Sequence, residues 1–271
     1  MFEVLSVDAS EGEFKGIQVK MPHVGMIKSG QFALITVSEG EEGFALPIAD
    51  VNASKSSVFF IVKSTNEKLS QLKEGDKLFG VRGPLGKEFM PADKRLLLVC
   101  DENGIASCGL MAKQAKHLNK KVCFVCTSST PYLSRYINYF DEVYTQNDCK
   151  MMLPYLFKTN DAAVIAGGNS FMKEMAQVCN DNNFTAYVFV NSVITDGMGM
   201  CGGCRLSVGN ETKFACVDGP CFLAKEINFD ELNKRSKCKK AGECCKEERK
   251  QHGKQTRVNA KARVKGEAKK L

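Results

Sequence analysis

The sequence predicts a chain of class α/β plus all-β: an N-terminal antiparallel β-barrel over residues 1–92, then a doubly wound parallel sheet over residues 93–190. Three observations carry this reading. The first 92 residues hold short strands with alternating apolar side chains, FEVLSVDAS, FKGIQVKM, QFALITVSE, SSVFFIVKS and KLFGVRG, cut apart by SG, EGEEG and EGD. Such spacing belongs to small antiparallel barrels. From RLLLVC onward the rhythm changes: continuous apolar runs alternate with segments of helical period, the signature of strands buried on both faces. Finally, 271 residues are enough for two cores of ordinary size.

Within the second region, RLLLVC reads as the first buried strand and ENGIASCGLMAKQAKHL as the helix that follows it. KKVCFVCTS, DEVYTQ, DAAVIAGGN and TAYVFVN continue the strands, with FMKEMAQVCNDN as a further helix. Residues 191–233 form a cysteine-bearing segment that ends in a short helix, NFDELNKR, and residues 234–271 form a tail. No internal repeat is present.

The formal charge of +7 is unevenly placed. The tail holds fifteen Lys and Arg against four Asp and Glu, which gives it +11 and leaves −4 on residues 1–233. A Lys-rich end without aromatics reads as a solvated extension, with an acidic partner surface or nucleic acid as sharper alternatives. The body has neither the positive charge nor the interleaved aromatic and basic residues of a nucleic-acid binder.

Thirteen cysteines in a short secreted chain would indicate disulfides, but here Cys100, Cys108, Cys123, Cys126 and Cys179 lie inside apolar stretches and read as buried small hydrophobes. The start, MFEVLSVDASEGEF, lacks a basic flank and an apolar signal core, and no run is long enough to span a membrane. The expected compartment is a reducing cytoplasm, where clustered cysteines favour metal.

That clustering is sharpest in DGMGMCGGC, residues 196–204, with a further cysteine in KFACVDG. Asp196, Cys201, Cys204 and Cys216 give D-x4-C-x2-C-x11-C; with cysteine in the first place this is the spacing of plant-type [2Fe-2S] ligation. Backbone must wrap closely around inorganic sulfide, and Gly197, Gly199, Gly202 and Gly203 permit that approach. Two alternatives stay open: a structural zinc site of Cys201, Cys204, Cys216 and Cys221, and an ordinary turn. Cys238, Cys244 and Cys245 form a second group in the tail, without a glycine wrap. His23, His117 and His252 belong to no motif.

The stretch TDGMGMCGGCRLSVGNETKFACVDGPCF resembles the cluster segment of the small subunit of NADH-dependent ferredoxin:NADP oxidoreductase, the electron-bifurcating transhydrogenase. That family is ferredoxin-reductase-like and also contains the electron-transfer subunit of dihydroorotate dehydrogenase, whose members carry cysteine in the first ligand place. More weakly, the resemblance extends from residue 1 to the NFDELNKR helix through SGQFALI, IAD, EGDKLFGVRGPLG and that helix itself. It implies a [2Fe-2S] electron-transfer subunit with Asp196, Cys201, Cys204 and Cys216 as ligands, FAD in the barrel, and docking on a larger flavoprotein or iron-sulfur subunit. The flavin positions that carry over are Leu46, Pro47, Ile48, Ser64, Thr65, Gly83, Pro84, Leu85 and Gly86; the nucleotide positions are Gly104, Ile105, Gly167 and Gly168. Two motifs depart from the family pattern. GFALP puts Gly43 where the arginine of the flavin diphosphate stands, and CDENGIAS puts Asp101 and Glu102 where NAD(H) phosphates would approach. The remaining readings are a working FAD-dependent NAD(P)H oxidoreductase and a non-catalytic assembly subunit built on a zinc or iron-sulfur knot.

Overall fold

The structure, a computed structural model, describes residues 2–146 and 148–236. Cys238, Cys244, Cys245 and His252, and with them nearly all of the basic tail, lie outside the described residues.

The first region is a barrel closed from two antiparallel sheets. Its strands are β1 (Phe2–Val7), β2 (Phe14–Lys20), β3 (Phe32–Thr36), β4 (Phe44–Pro47), β5 (Asp50–Asn52), β6 (Ser57–Lys63), β7 (Lys77–Leu78) and β8 (Gly80–Leu85), with a one-turn helix α1 (Glu67–Ser70) after β6. One sheet runs β5-β6-β2-β1-β7 and the other β4-β3-β8. The alternation read from the sequence is what fills the interior: Val4, Ile17, Val19, Ile35, Val58, Phe60 and Val62 point inward and are buried. β4 and β5, not foreseen as strands, lie within the stretch that carries the flavin motif.

The second region holds β9 (Arg95–Cys100), α2 (Ile105–His117), β10 (Lys121–Cys126), α3 (Leu133–Tyr136), β11 (Glu142–Thr145), α4 (Leu153–Leu156), β12 (Ala162–Ala166), α5 (Asn169–Asp181) and β13 (Ala186–Phe189). The last elements are the hairpin β14 (Arg205–Val208) and β15 (Glu211–Phe214), then β16 (Cys221–Leu223) and α6 (Phe229–Ser236). The sheet order is β11-β10-β9-β12-β13-β16, parallel except for β16, which joins antiparallel to β13. The chain leaves β9 toward β10 and β11, then returns to β12 on the other side, so its direction switches between the carboxyl ends of β9 and β12. In open α/β sheets that is where ligands bind.

Residues on the two faces of this sheet feed different cores. Leu96, Leu98, Cys100, Phe124 and Cys126 pack with α2, whereas Leu97, Val99, Val125, Ala163 and Ile165 pack with α5 and the cysteine segment. Cys100, Cys108, Cys123, Cys126 and Cys179 are all buried, as expected of small hydrophobes. His23 and His117 lie on the surface.

Barrel and sheet are fastened by polar contacts made from α2 and α3. The Tyr132 hydroxyl accepts from Gly16 N at 2.6 Å and donates to Ala9 O at 2.8 Å, and Tyr136 donates to Ala49 O at 3.1 Å. Gln114 bridges Ser29 N and Ile27 O, and Lys113 pairs with Asp50 at 2.7 Å with both side chains largely covered. The crevice between the two regions therefore has walls held in a fixed relation.

Candidate functional site

Residues 196–204 have no regular structure and turn on glycines with positive φ, Gly197 (73°), Gly199 (81°) and Gly202 (68°), a conformation other residues adopt at a cost. The loop closes on its own aspartate. Asp196 Oδ1 accepts from Met198 N at 3.0 Å and Oδ2 accepts from Cys201 N at 2.6 Å. Partial burial works to raise the Asp196 carboxyl, but the N–H groups of Met198, Cys201 and Met200 outweigh it and hold the group below the usual carboxylate range.

Cys204 and Cys216 are buried with their Sγ atoms 3.1 Å apart, while Cys201 is exposed and its Sγ accepts from Gly203 N at 3.4 Å. Burial, reinforced by Cys204, pushes the Cys216 thiol up to about 12. The hairpin β14–β15 sets this spacing, because Ala215 N donates to Cys204 O at 3.1 Å across its base. The four residues thus form two pairs, a buried one in which the Cys204 and Cys216 sulfurs touch and a half-exposed one in which Asp196 accepts from the Cys201 backbone N–H. Among the described residues, no three His, Cys, Asp or Glu side chains converge on one point. Cys221, the fourth member of the zinc alternative, is separated from the buried pair: it packs with the α2 face of the sheet, whereas Cys204 and Cys216 belong to the α5 face.

The loop lies directly against the barrel. A Cβ at Gly197 would come within 2.8 Å of Leu85 and 2.9 Å of Leu34, and Lys87 N donates to Gly219 O at 2.6 Å. Next to this contact is a cleft of about 150 Å³ between the two regions, walled by Phe32, Pro47, Ile48, Gly167, Phe189 and Ser192 among others. Of the expected flavin positions, Pro47 and Ile48 line it; Leu46 and Leu85 pack against the cores behind it, and Gly83, Pro84 and Gly86 form the end of β8 and the turn after it. A neighbouring recess holds Glu41, Glu42, Gly43, Lys68 and the Ser192–Thr195 link, with Lys68 Nζ 2.6 Å from Glu41 Oε1. Ser64 and Thr65 are exposed and line neither space. Lys68 escaped the sequence reading because it lies in α1, outside the turn that the family motif occupies; Asn103 and Ser107, on the opposite wall, lie inside CDENGIAS but were not singled out there.

On the sheet side, Gly104 caps α2 so close to β12 that a Cβ would overlap the carbonyl of Ala166, and Ile105 is buried behind it. Gly167 and Gly168 follow β12 and lead into α5. Asp101, 7% exposed, lies between these turns. Burial raises its carboxyl, opposed by hydrogen bonds from Gly168 and Asn103.

A barrel, a doubly wound sheet and a glycine-turned cysteine loop seated on both define a ferredoxin-reductase-like protein with an iron-sulfur-binding C-terminal domain. Residues 191–228 match the iron-sulfur cluster binding domain of dihydroorotate dehydrogenase B. The electron transfer subunit homolog of dihydroorotate dehydrogenase B from Thermotoga maritima is 31% identical over 77% of this chain and 80% of its own length. An uncharacterized protein in the adh 3' region of Clostridium beijerinckii is 29% identical over 87% of this chain and 89% of its own. A solved structure of the NADH-dependent reduced ferredoxin-NADP oxidoreductase superposes with a TM-score of 0.81 at 26% identity, covering 92% of this chain and 97% of that one. The chain belongs to the dihydroorotate dehydrogenase B electron-transfer subunit family, and it is an electron-transfer subunit of the flavin and iron-sulfur type.

Proposed function

We propose that this chain passes single electrons between a flavin in the cleft and a larger partner subunit, by way of a [2Fe-2S] cluster held by Asp196, Cys201, Cys204 and Cys216. The observation that carries this is the pairing of the four residues: two buried thiols in contact, and a carboxylate that accepts from the Cys201 backbone N–H beside an exposed thiol, on a loop that packs against the barrel at Leu34 and Leu85. The donor set fits two iron centres, since three thiolates and a carboxylate supply four anionic ligands. The cluster, when bound, supplies one-electron carriage.

Each residue has a definite task in this scheme. Cys204 and Cys216 would hold the cluster from the buried side, where little water reaches them. Asp196 and Cys201 would hold it from the loop, whose turn the carboxylate fixes by accepting from Met198 N and Cys201 N. Pro47, Ile48 and Phe32 would supply an apolar wall for a flavin ring, and Lys68 lines the neighbouring recess, where it pairs with Glu41. FAD, when bound, exchanges electron pairs for single electrons.

Met198 and Met200, beside Cys201 in the loop, and Val217, next to Gly199, are 56%, 83% and 49% exposed, an apolar surface suited to the partner subunit. A reducing cytoplasm is the proposed compartment, since clustered cysteines there favour metal over disulfide; no described helix is long and apolar enough to cross a membrane. Within the chain, the proposed units are the barrel (1–92), the sheet (93–190), the cluster segment (191–233) and the basic tail (234–271). Replacement Cys204→Ser tests the ligand set: iron content and visible absorbance should both fall sharply, and undiminished iron in that variant would refute it.

A further inference from the structure

The carboxyl ends of β9 and β12, where the sheet order reverses, each lead through a short turn into a thirteen-residue helix, α2 capped by Gly104 and α5 capped by Gly168. Two helix N-termini that converge at a switch point form an anion site, the place at which a doubly wound sheet receives the diphosphate of a dinucleotide. In this chain an anion is already built in. Asp101 Oδ1 accepts from Asn103 N, in the turn before α2, at 2.8 Å, and Oδ2 accepts from Gly168 N, at the cap of α5, at 2.8 Å. The side chain is buried, and its oxygens approach Gly167 so closely that a Cβ there would overlap them. Gly167 has φ of 150°, so glycine meets both the backbone and the space requirement. Glu102, alongside, adds a second carboxylate of intermediate exposure.

We propose that Asp101 is a permanent occupant of the dinucleotide-phosphate site, so that the sheet domain takes no NAD(H) and electrons reach and leave this subunit through the flavin, the cluster and its protein contacts. The residues present do not fit a dinucleotide. A phosphate oxygen would have to displace a carboxylate from the two amides it needs, against the repulsion of Asp101 and Glu102 in a partly enclosed place.

The test is NADH binding to the full-length protein, followed by quenching or enhancement of nicotinamide fluorescence. Asp101→Gly frees both amides, and it should bind NADH at least about tenfold more tightly than the unaltered chain. Asp101→Asn keeps the volume but removes the charge and should lie between the two, which covers the case in which the glycine variant does not fold. Binding by the unaltered chain as tight as by either variant would overturn the proposal. So would a failure of both folded variants to gain affinity, because Asp101 would then not be the obstacle. Neither variant touches residues 196–216, so iron content at the unaltered level separates this result from any failure of the cluster assignment.

Discussion

Asp196 and Gly43 are single residues where the chemistry of this chain departs from a uniform pattern, and each gives a prediction. A carboxylate donates less electron density to iron than a thiolate does. Asp196→Cys should therefore lower the cluster potential, and spectroelectrochemical titration showing no change would mean that Asp196 only closes the turn. At Gly43 a Cβ would lie 3.2 Å from Thr36 Oγ1 and 3.4 Å from Leu34 Cβ, so a side chain can enter with a small shift. Gly43→Arg would add a charge-assisted contact worth roughly 1.5–3 kcal/mol and tighten FAD binding about ten- to hundredfold. Equal affinity, measured by flavin fluorescence, would show that the diphosphate runs elsewhere. The sequence made both positions visible, because each stands in a recognisable motif. Lys68 was not visible, since its nearness to Gly43 arises only when α1 folds back beside the recess.

Among the elements, those with strong periodicity were legible and those whose pairing is fixed by distant chain were not. β9 and β12 announce themselves as LLLV and AAVIA because both faces are buried, and α5 as Met172, Met175, Ala176 and Cys179 at helical spacing on one face. β16 is three residues long, and it exists because β13 offers a free edge; nothing within CFL itself specifies that partner. The hairpin β14–β15 was hidden for a related reason: the glycines and cysteines beside it drew attention to ligation, although its turn at Gly209 and Asn210 is an ordinary hairpin signal. Ser64 and Thr65, assigned by the family pattern to the flavin, remain on the outside of the turn before α1. Gly104 tests how tightly one element is seated. Since a Cβ there overlaps the end of β12, Gly104→Ala should cost ~1–3 kcal/mol by overpacking and lower Tm by roughly 2–10 °C. A thermal melt without any shift would mean that α2 can slide away from the sheet.

At the scale of the whole molecule, the order of the parts matters more than any one of them. The cysteine loop contributes to a single core with β3 and the α5 face of the sheet, so it is held between the two regions and does not hang from the end of the chain. That placement lets one side of the loop pack on the barrel at Leu34 and Leu85 while the other presents Cys201, Met198 and Met200 to solvent. If the exposed side is the partner surface, Met200→Glu should weaken the complex with the larger subunit by about tenfold or more while iron content stays constant, and pull-down at graded salt would measure it. An unchanged complex would place the contact on another face. Whether one chain holds both a cluster and a flavin is measured most directly by the visible absorption spectrum of the anaerobically purified protein before and after heat release of flavin. Broad iron-sulfur bands together with released FAD are the predicted result; a colourless protein with stoichiometric zinc and no flavin would contradict it.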